Sequence, residues 1–292
     1  CNSELYGDNI MPFLGSQPAE VALTTGDLGD DIVTLAKLAA GTDGNIISYD
    51  ASGNPVAIAT GSDGQVLTSA GAGAPPAFEA AGGGGLQSVQ IFTSSGTWTK
   101  PAGIASVVVE VIGGGGGGGN SSANAGTGGS GGGAGGMAIE FVDVSGTSSE
   151  TVTIGAAGAA TSGSGSHVGA TGGTGGTSSF GSICSATGGV GGVGIDTNVS
   201  QDGGAGGAGS GGNLNITGEL GENGIAGTAA LVGGHGGNTK YGPGGRGGTN
   251  SGDSGTAGVL GGGGGGAHMN GGSNSTNGSA GGPGLCVCWE YA

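Results

Sequence analysis

The sequence predicts a mainly β protein with a polyglycine II-type helical bundle, laid out as a short N-terminal helix, a thin repeat shaft and a glycine-rich C-terminal head. Three observations carry this. Glycine supplies 83 of 292 residues while only 8% are charged and 4% aromatic, which excludes a large oily core and leaves backbone to pack against backbone. An internal repeat occupies residues 41–80. Runs of β-branched and aromatic residues flank the glycine-rich stretch on both sides.

Residues 1–40 form the first domain and are the part least rich in glycine. Asp30 and Asp31 precede Ile32, Leu35, Leu38 and Ala39, a helical spacing with an acidic start, and Gly41 stops it. A helix of about ten residues does not stand alone, so it is expected to pack on copies of itself or on a partner. The second domain, 41–85, is the repeat shaft and its linker. Gly41-Thr42-Asp43-Gly44-Asn45-Ile46-Ile47-Ser48 is answered by Gly61-Ser62-Asp63-Gly64-Gln65-Val66-Leu67-Thr68. Each Asp-Gly pair predicts a turn and each apolar pair the start of a short strand. Asp50 to Asn54 turns the chain back toward Pro55-Val56-Ala57-Ile58. Such strands cannot bury their own face and need neighbours, expected to be other subunits. Pro75-Pro76 and Gly82 to Gly85 mark the linker.

The third domain, 86–292, is the glycine-rich β/polyglycine head. Val89, Ile91 and Phe92, then Thr97-Trp98-Thr99, then Val107 to Ile112 read as strands, and Leu285 to Tyr291 reads as a closing strand that pairs with the first ones. Met137–Val144 and Glu150–Ile154 are expected to form a hairpin. Between Gly113 and Gly284, 66 of 172 residues are glycine, many at a spacing of three: Gly126, Gly129, Gly132 and Gly135; Gly203, Gly206, Gly209 and Gly212; Gly252, Gly255, Gly258, Gly261 and Gly264. A period of three matches a left-handed extended helix with three residues per turn. One edge of each helix is then bare glycine, so neighbours approach closely and bond sideways. Collagen is excluded, because the phase breaks between runs and the region holds only Pro243 and Pro283. Low-complexity glycine tracts can also be disordered. Against that stand the flanking strands and the apolar residues between runs, such as Phe180, Ile183, Val190, Val193, Leu231 and Val232.

The 20 acidic residues outnumber 4 basic ones, for a net charge of -16. This excludes nucleic-acid binding, which needs cationic side chains, and docking on anionic lipid. No run approaches the ~20 apolar residues of a membrane span, so no membrane insertion is expected. No signal peptide is visible, which fits assembly inside a cell and release by lysis. Cys1, Cys184, Cys286 and Cys288 show no disulfide framework; Cys286 and Cys288 share one face of a strand and read as small buried hydrophobes. His167, His235 and His268 lie apart, without metal-site spacing. Glu219 and Glu222, the nearest acidic pair, read as a solvated loop. Gly191 to Asp196 begins like a calcium-binding nonapeptide, but Asn198 stands at its hydrophobic position. GxGxxG strings follow from composition alone and do not indicate a nucleotide. No enzyme activity, metal or cofactor is expected. The candidate recognition residues are the bulky or charged ones between glycine runs: His235, Asn238, Lys240, Tyr241 and Arg246 in one group, and His268, Met269 and Asn270 in a second. Ordinary loop chemistry is the plainer reading of both groups.

Several segments resemble phage tail-fibre proteins. The repeat at Gly41 and Gly61 is similar to stretches in fibre shafts. Phe92-Thr-Ser-Ser-Gly-Thr-Trp-Thr-Lys-Pro101, leading into Val107-Val-Val-Glu-Val-Ile112 and a glycine run, resembles the opening of the glycine-rich domain at fibre ends. Thr151-Val-Thr-Ile-Gly155, Thr177-Ser-Ser-Phe-Gly181 and Ala186-Thr-Gly-Gly189 are similar to its interior, and Pro283-Gly-Leu-Cys-Val-Cys-Trp-Glu-Tyr291 to its closing strand. The resemblance spans about 40–292. It implies an extracellular virion fibre, a homotrimer whose tip contacts a host surface protein or glycan and whose residues 1–40 attach to other tail proteins. In related glycine-rich adhesins, polyglycine helices form a rigid slab whose variable loops recognise the receptor. Nothing in residues 1–40 matches a known virion-attachment domain. A purely structural fibre subunit without its own receptor is the alternative.

Overall fold

The computed structural model describes Gly26 and residues 44–292, apart from 82–83, 123–125, 162–168, 197–198, 228–231, 251 and 270–274. The helix expected over 30–40 lies outside the described residues. The chain divides into two compact units, Cys1–Ala81 and Gly82–Ala292.

Turn chemistry shapes the first unit. Gly44 and Gly64, equivalent positions of the repeat, both take a left-handed φ, +77° and +82°, which a side chain would strain. Strand β1 (Ile46–Tyr49) follows the first and pairs antiparallel with β2 (Pro55–Ile58). Between them, one Asp50 carboxylate oxygen accepts the backbone N–H groups of Ser52 at 2.8 Å and Asn54 at 2.9 Å. These bonds, Asn54's foremost, hold the Asp50 carboxyl below the usual carboxylate range. Strand β3 (Gln65–Thr68) follows Gly64 and pairs antiparallel with β4 (Ala77–Ala80). The two hairpins remain separate two-stranded sheets. Ile47, Tyr49, Val66 and Leu67 stay exposed.

The second unit opens with β5 (Leu86–Phe92), β6 (Gly96–Thr99), β7 (Ser106–Ile112), the short β8 (Thr127–Gly128), β9 (Met137–Asp143) and β10 (Ser149–Thr153). It continues with β11 (Ser178–Phe180), β12 (Cys184–Ala186), β13 (Gly209–Ser210), β14 (Leu214–Ile216), β15 (His268–Met269) and β16 (Leu285–Tyr291). Two five-stranded sheets form, in the orders β14-β9-β7-β16-β5 and β13-β12-β11-β10-β6. The closing strand β16 pairs with both β5 and β7, as the sequence suggested. The expected hairpin of 137–144 with 150–154 does not form: β9 pairs with β7 and β14, and β10 with β6 and β11. The chain crosses from one sheet to the other there, because Val144 and Val152 are both needed in the space between the sheets.

That space is the apolar core. Val107, Val109 and Val111 alternate inward from β7, Cys286 and Cys288 from β16, and they meet Trp98, Val152, Phe180 and Cys184 of the facing sheet. The Trp98 and Phe180 rings stand 5.7 Å apart at 60°. Glu290, next inward on β16, is fully buried. Its carboxylate accepts Trp98 Nε1–H at 2.7 Å, Gln90 Nε2–H at 2.6 Å and the Ser88 hydroxyl, tying the two sheets at one edge.

Beyond the strand ends the glycine runs take over. β7 continues into 113–119, 129–136 leads into β9, β12 continues into 187–194, and 278–284 leads into β16. Gly113, Gly116 and Gly119 donate their N–H groups to the carbonyls of Gly136, Gly133 and Ser130; Gly114 and Gly117 to Gly176 and Gly173; Gly115 and Gly118 to Gly282 and Ser279. Successive residues thus address three different neighbours and the fourth returns to the first, a repeat of three. The carbonyls of Gly114, Gly115 and Gly116 accept from Gly189, Gly158 and Gly264, on three further segments. Segment 113–119 is therefore enclosed on six sides and fully buried. Segments 129–136 and 261–267 are enclosed in the same way. The set is a hydrogen-bonded lattice standing on the end of the sandwich.

Glycine content follows position in this lattice. In the enclosed run a Cβ on Gly115 would collide with the carbonyl of Gly262, and one on Gly116 with that of Val190. Segment 233–238 bonds to four neighbours, 129–132, 222, 245–248 and 263–266. It reads Gly-Gly-His-Gly-Gly-Asn, with only His235 and Asn238 exposed. Segment 155–159 bonds to three, 115, 173–176 and 281–284, and reads Gly-Ala-Ala-Gly-Ala, with only its glycines fully buried. The more sides neighbours occupy, the fewer side chains fit, since backbone approaches backbone most closely where no Cβ intervenes; Ser130 and Ala134 are nonetheless accommodated, fully buried, in the enclosed segment 129–136.

Candidate binding surfaces

The turn at 238–242 crosses the outer face of the sheet that contains β7. Thr239 Oγ1 pins it, donating to the Leu260 carbonyl at 2.8 Å and accepting the Gly242 N–H at 2.9 Å. Lys240 Nζ then lies 2.9 and 2.8 Å from the two carboxylate oxygens of Glu110 on β7, and the Tyr241 hydroxyl donates to the same carboxylate. The ammonium also sits 5.0 Å from the Tyr241 ring centroid. The Glu110 side chain is only 10% exposed and that of Lys240 is 49% exposed, so this pair neutralises a nearly buried charge at the surface. The Glu110 carboxylate raises the Lys240 pKa above its ordinary value; burial first, and Glu110 second, raise that of Tyr241.

Two cavities flank this ridge. One, of about 450 Å³, has a floor of Ile112, Met137, Ile139 and Ile216 and a rim that includes Glu219 and Asn238. The other, of about 280 Å³, is lined by Val89, Ile91, Tyr241, Leu260 and Trp289, among others. The indole N–H of Trp289 has no acceptor among the described residues.

The remaining sequence-predicted residues are dispersed. His235 and Asn238 occupy the exposed edge of one lattice segment, where the Asn238 backbone and side-chain N–H groups donate to Glu219 at 2.7 and 2.8 Å. Arg246 lies further along the neighbouring segment, toward the end remote from the sandwich. It donates to Thr249 Oγ1 at 2.9 Å and stands 3.6 Å from Asp253. His268 and Met269 form β15, pair with β8 and are buried; neither ring nitrogen of His268 has a partner among the described residues. Asn270 lies outside the described residues. Lys240, Tyr241 and Asn238 thus gather at the sandwich end, and Arg246, His268 and Met269 do not join them. Sequence reasoning missed Glu110 and Glu290. The available signal was a lone carboxylate inside each of two apolar strands, Val107 to Ile112 and Leu285 to Tyr291.

Among the described residues no group of three His, Cys, Asp or Glu side chains gathers as a metal set. The thiols of Cys184, Cys286 and Cys288 are free and buried. Burial, above all, pushes Cys184 up to about 11, and contact with Cys288 at 3.9 Å together with burial pushes Cys286 up as well. Protonated thiols in an apolar core are poor nucleophiles. The surfaces present shape, apolar area and a few fixed hydrogen-bonding groups, which suits binding.

The profile of the glycine-rich domain family matches residues 91–289, from inside β5 to inside β16. The chain belongs to this family. The glycine-rich domain therefore comprises the sandwich and its lattice together. No curated protein matches the chain.

Proposed function

We propose that the protein is a phage tail-fibre subunit that acts without catalysis and whose glycine-rich domain attaches the virion to a receptor on the host surface, a protein or a glycan. In this reading the lattice is a bundle of polyglycine II-type helices, the fibre is a homotrimer, and residues 1–40 join it to other tail proteins. One observation carries the reading: a backbone lattice with a dense network of inter-segment hydrogen bonds presents side chains at regular positions along its exposed edge segments, such as His235 and Asn238 three residues apart. Such a frame holds recognition groups preorganised, so little entropy is lost on binding. The period of three in the hydrogen bonds supports the helix type. The order of motifs from the repeat at Gly41 to the closing strand supports the fibre.

The test is adsorption of virions to host cells. His235→Ala, Asn238→Ala and Arg246→Ala in one chain, together with exchange of the connections at the remote lattice end, should lower adsorption at least tenfold while the fibre still assembles. Immunogold label against residues 86–292 should lie at distal fibre ends. Unchanged adsorption, with label along a filament instead, would overturn receptor binding and favour a structural subunit. One observation favours that second reading: Lys240 and Tyr241 are engaged by Glu110 within the fold.

A further inference from the structure

We infer that the outer face of the sheet β14-β9-β7-β16-β5 is the surface through which copies of this chain associate; this rests on the multimeric fibre proposed above. Leu214, Ile139, Glu110, Val287 and Ile91 form one row across all five strands, each opposite the next. A second row runs Phe141, Val108, Trp289 and Val89. Ile91 is 64% exposed, Phe141 57% and Leu214 51%. A sheet normally turns such a row inward, and here the inner face already has its own core; Val287 and Glu110, at the middle of the first row, are covered by Tyr241, Leu260 and Lys240, so the exposed apolar residues lie on either side of the 238–242 turn.

The occupant is argued from charge, edge and area. The chain carries a net charge of -16, so two copies repel wherever their acidic surfaces meet. Within the two rows the only charged residue is Glu110, and Lys240 neutralises it. The face is therefore where two equally acidic molecules can meet without that penalty. A basic partner would instead favour the acidic surfaces. Strand β5 is the edge of this sheet, pairs only with β16 among the described strands, and has neither charge nor proline in Leu86 to Phe92 to discourage pairing. The whole face, with the part beneath the 238–242 turn included, measures about 500 Å² in plan from strand rise and spacing, short of the ~800 Å² per partner of a standard interface. The hairpins of the first unit offer a separate apolar surface of their own. They leave Ile47, Tyr49, Val66 and Leu67 exposed on two-stranded sheets that are marginal alone. Five residues separate β4 from β5, so copies joined through one surface are held at high effective concentration for the other.

The test uses the full chain with Cys1→Ser, since the other three thiols are buried. Ile91→Cys and Phe141→Cys are treated with a short bismaleimide, with Leu220→Cys, 67% exposed on the lattice, as reference. Covalent multimers should form from positions 91 and 141 and not from 220. In sedimentation velocity, Ile91→Glu with Phe141→Glu should weaken association at least tenfold at an unchanged unfolding midpoint. A monomeric wild-type chain, equal cross-linking at all three positions, or an unchanged sedimentation profile of the double variant would each overturn the interface. Adsorption is scored separately: cross-linking without adsorption would keep the interface and remove receptor binding, and the reverse would do the opposite.

Discussion

Strand β7, with Val107, Val109 and Val111, runs directly into the seven glycines 113–119, yet the two stretches are held by different forces. The valines are buried between two sheets, and each contributes roughly 1.5–3 kcal/mol by leaving water. Gly113 to Gly119 are equally buried and have no side chain to bury. Each instead donates its N–H to one of three neighbouring segments, for a net of about 0.5–1.5 kcal/mol per bond, against the large conformational entropy that glycine loses. The comparison teaches that the sandwich is stabilised by area and tolerates changes of shape. The lattice is stabilised by closeness, and at Gly115 and Gly116 an added Cβ would meet backbone that cannot yield.

Substitutions can break that contrast or sharpen it. Trp98→Ala should cost most, about 3–5 kcal/mol in urea unfolding, because it opens a cavity beside Phe180 and removes one of the three donors to the buried Glu290 carboxylate. Gly116→Ala should cost about 3 kcal/mol although it adds a single methyl, since that methyl meets the backbone of Val190 rather than a side chain that could yield. Val190→Ala and Arg246→Ala, at exposed lattice positions, should stay within about 0.5 kcal/mol of wild type. Equal losses at Gly116 and Val190 would refute the account of the lattice. Glu290→Ala should cost about 1–3 kcal/mol by leaving the Gln90 and Trp98 donors unsatisfied.

The smallest effect is a pH dependence. Lys240 and Tyr241 both have raised pKa values in the folded protein, so the folded state holds their protons more tightly than the unfolded one. Their contribution is complete below the ordinary values of 10.5 and 10.0 and is lost as pH rises through the raised ones. Thermal unfolding between pH 9 and 12 should fall more steeply in wild type than in Glu110→Gln. Lys240 is half exposed, so solvent screening keeps the difference small.

Much of the fold was legible. The Asp-Gly turns placed β1 and β3, because a left-handed φ leaves few other residues at Gly44 and Gly64. The inward period of β7 and the shared face of Cys286 and Cys288 followed from side-chain alternation. The hairpin of 137–144 with 150–154 was misread, because pairing partners depend on which face a strand must bury, and adjacent strands give no sign that they belong to different sheets. The candidate site was less legible. Lys240 and Tyr241 read as a free loop, and only the fold brought Glu110, 130 residues away in sequence, beneath them.

By itself the sequence determined where glycine is compulsory. The unbroken run 113–119 marks an enclosed segment and the sparser glycines of 155–159 an edge segment, while Ser130 and Ala134 lie in an enclosed segment without a glycine signal. Only the tertiary structure decided which segments those neighbours are. Backbone N–H and carbonyl groups are alike along the whole chain, so a lattice bonded through them carries no partner code of its own. The sandwich strands supply that choice, by setting where each glycine run begins and ends.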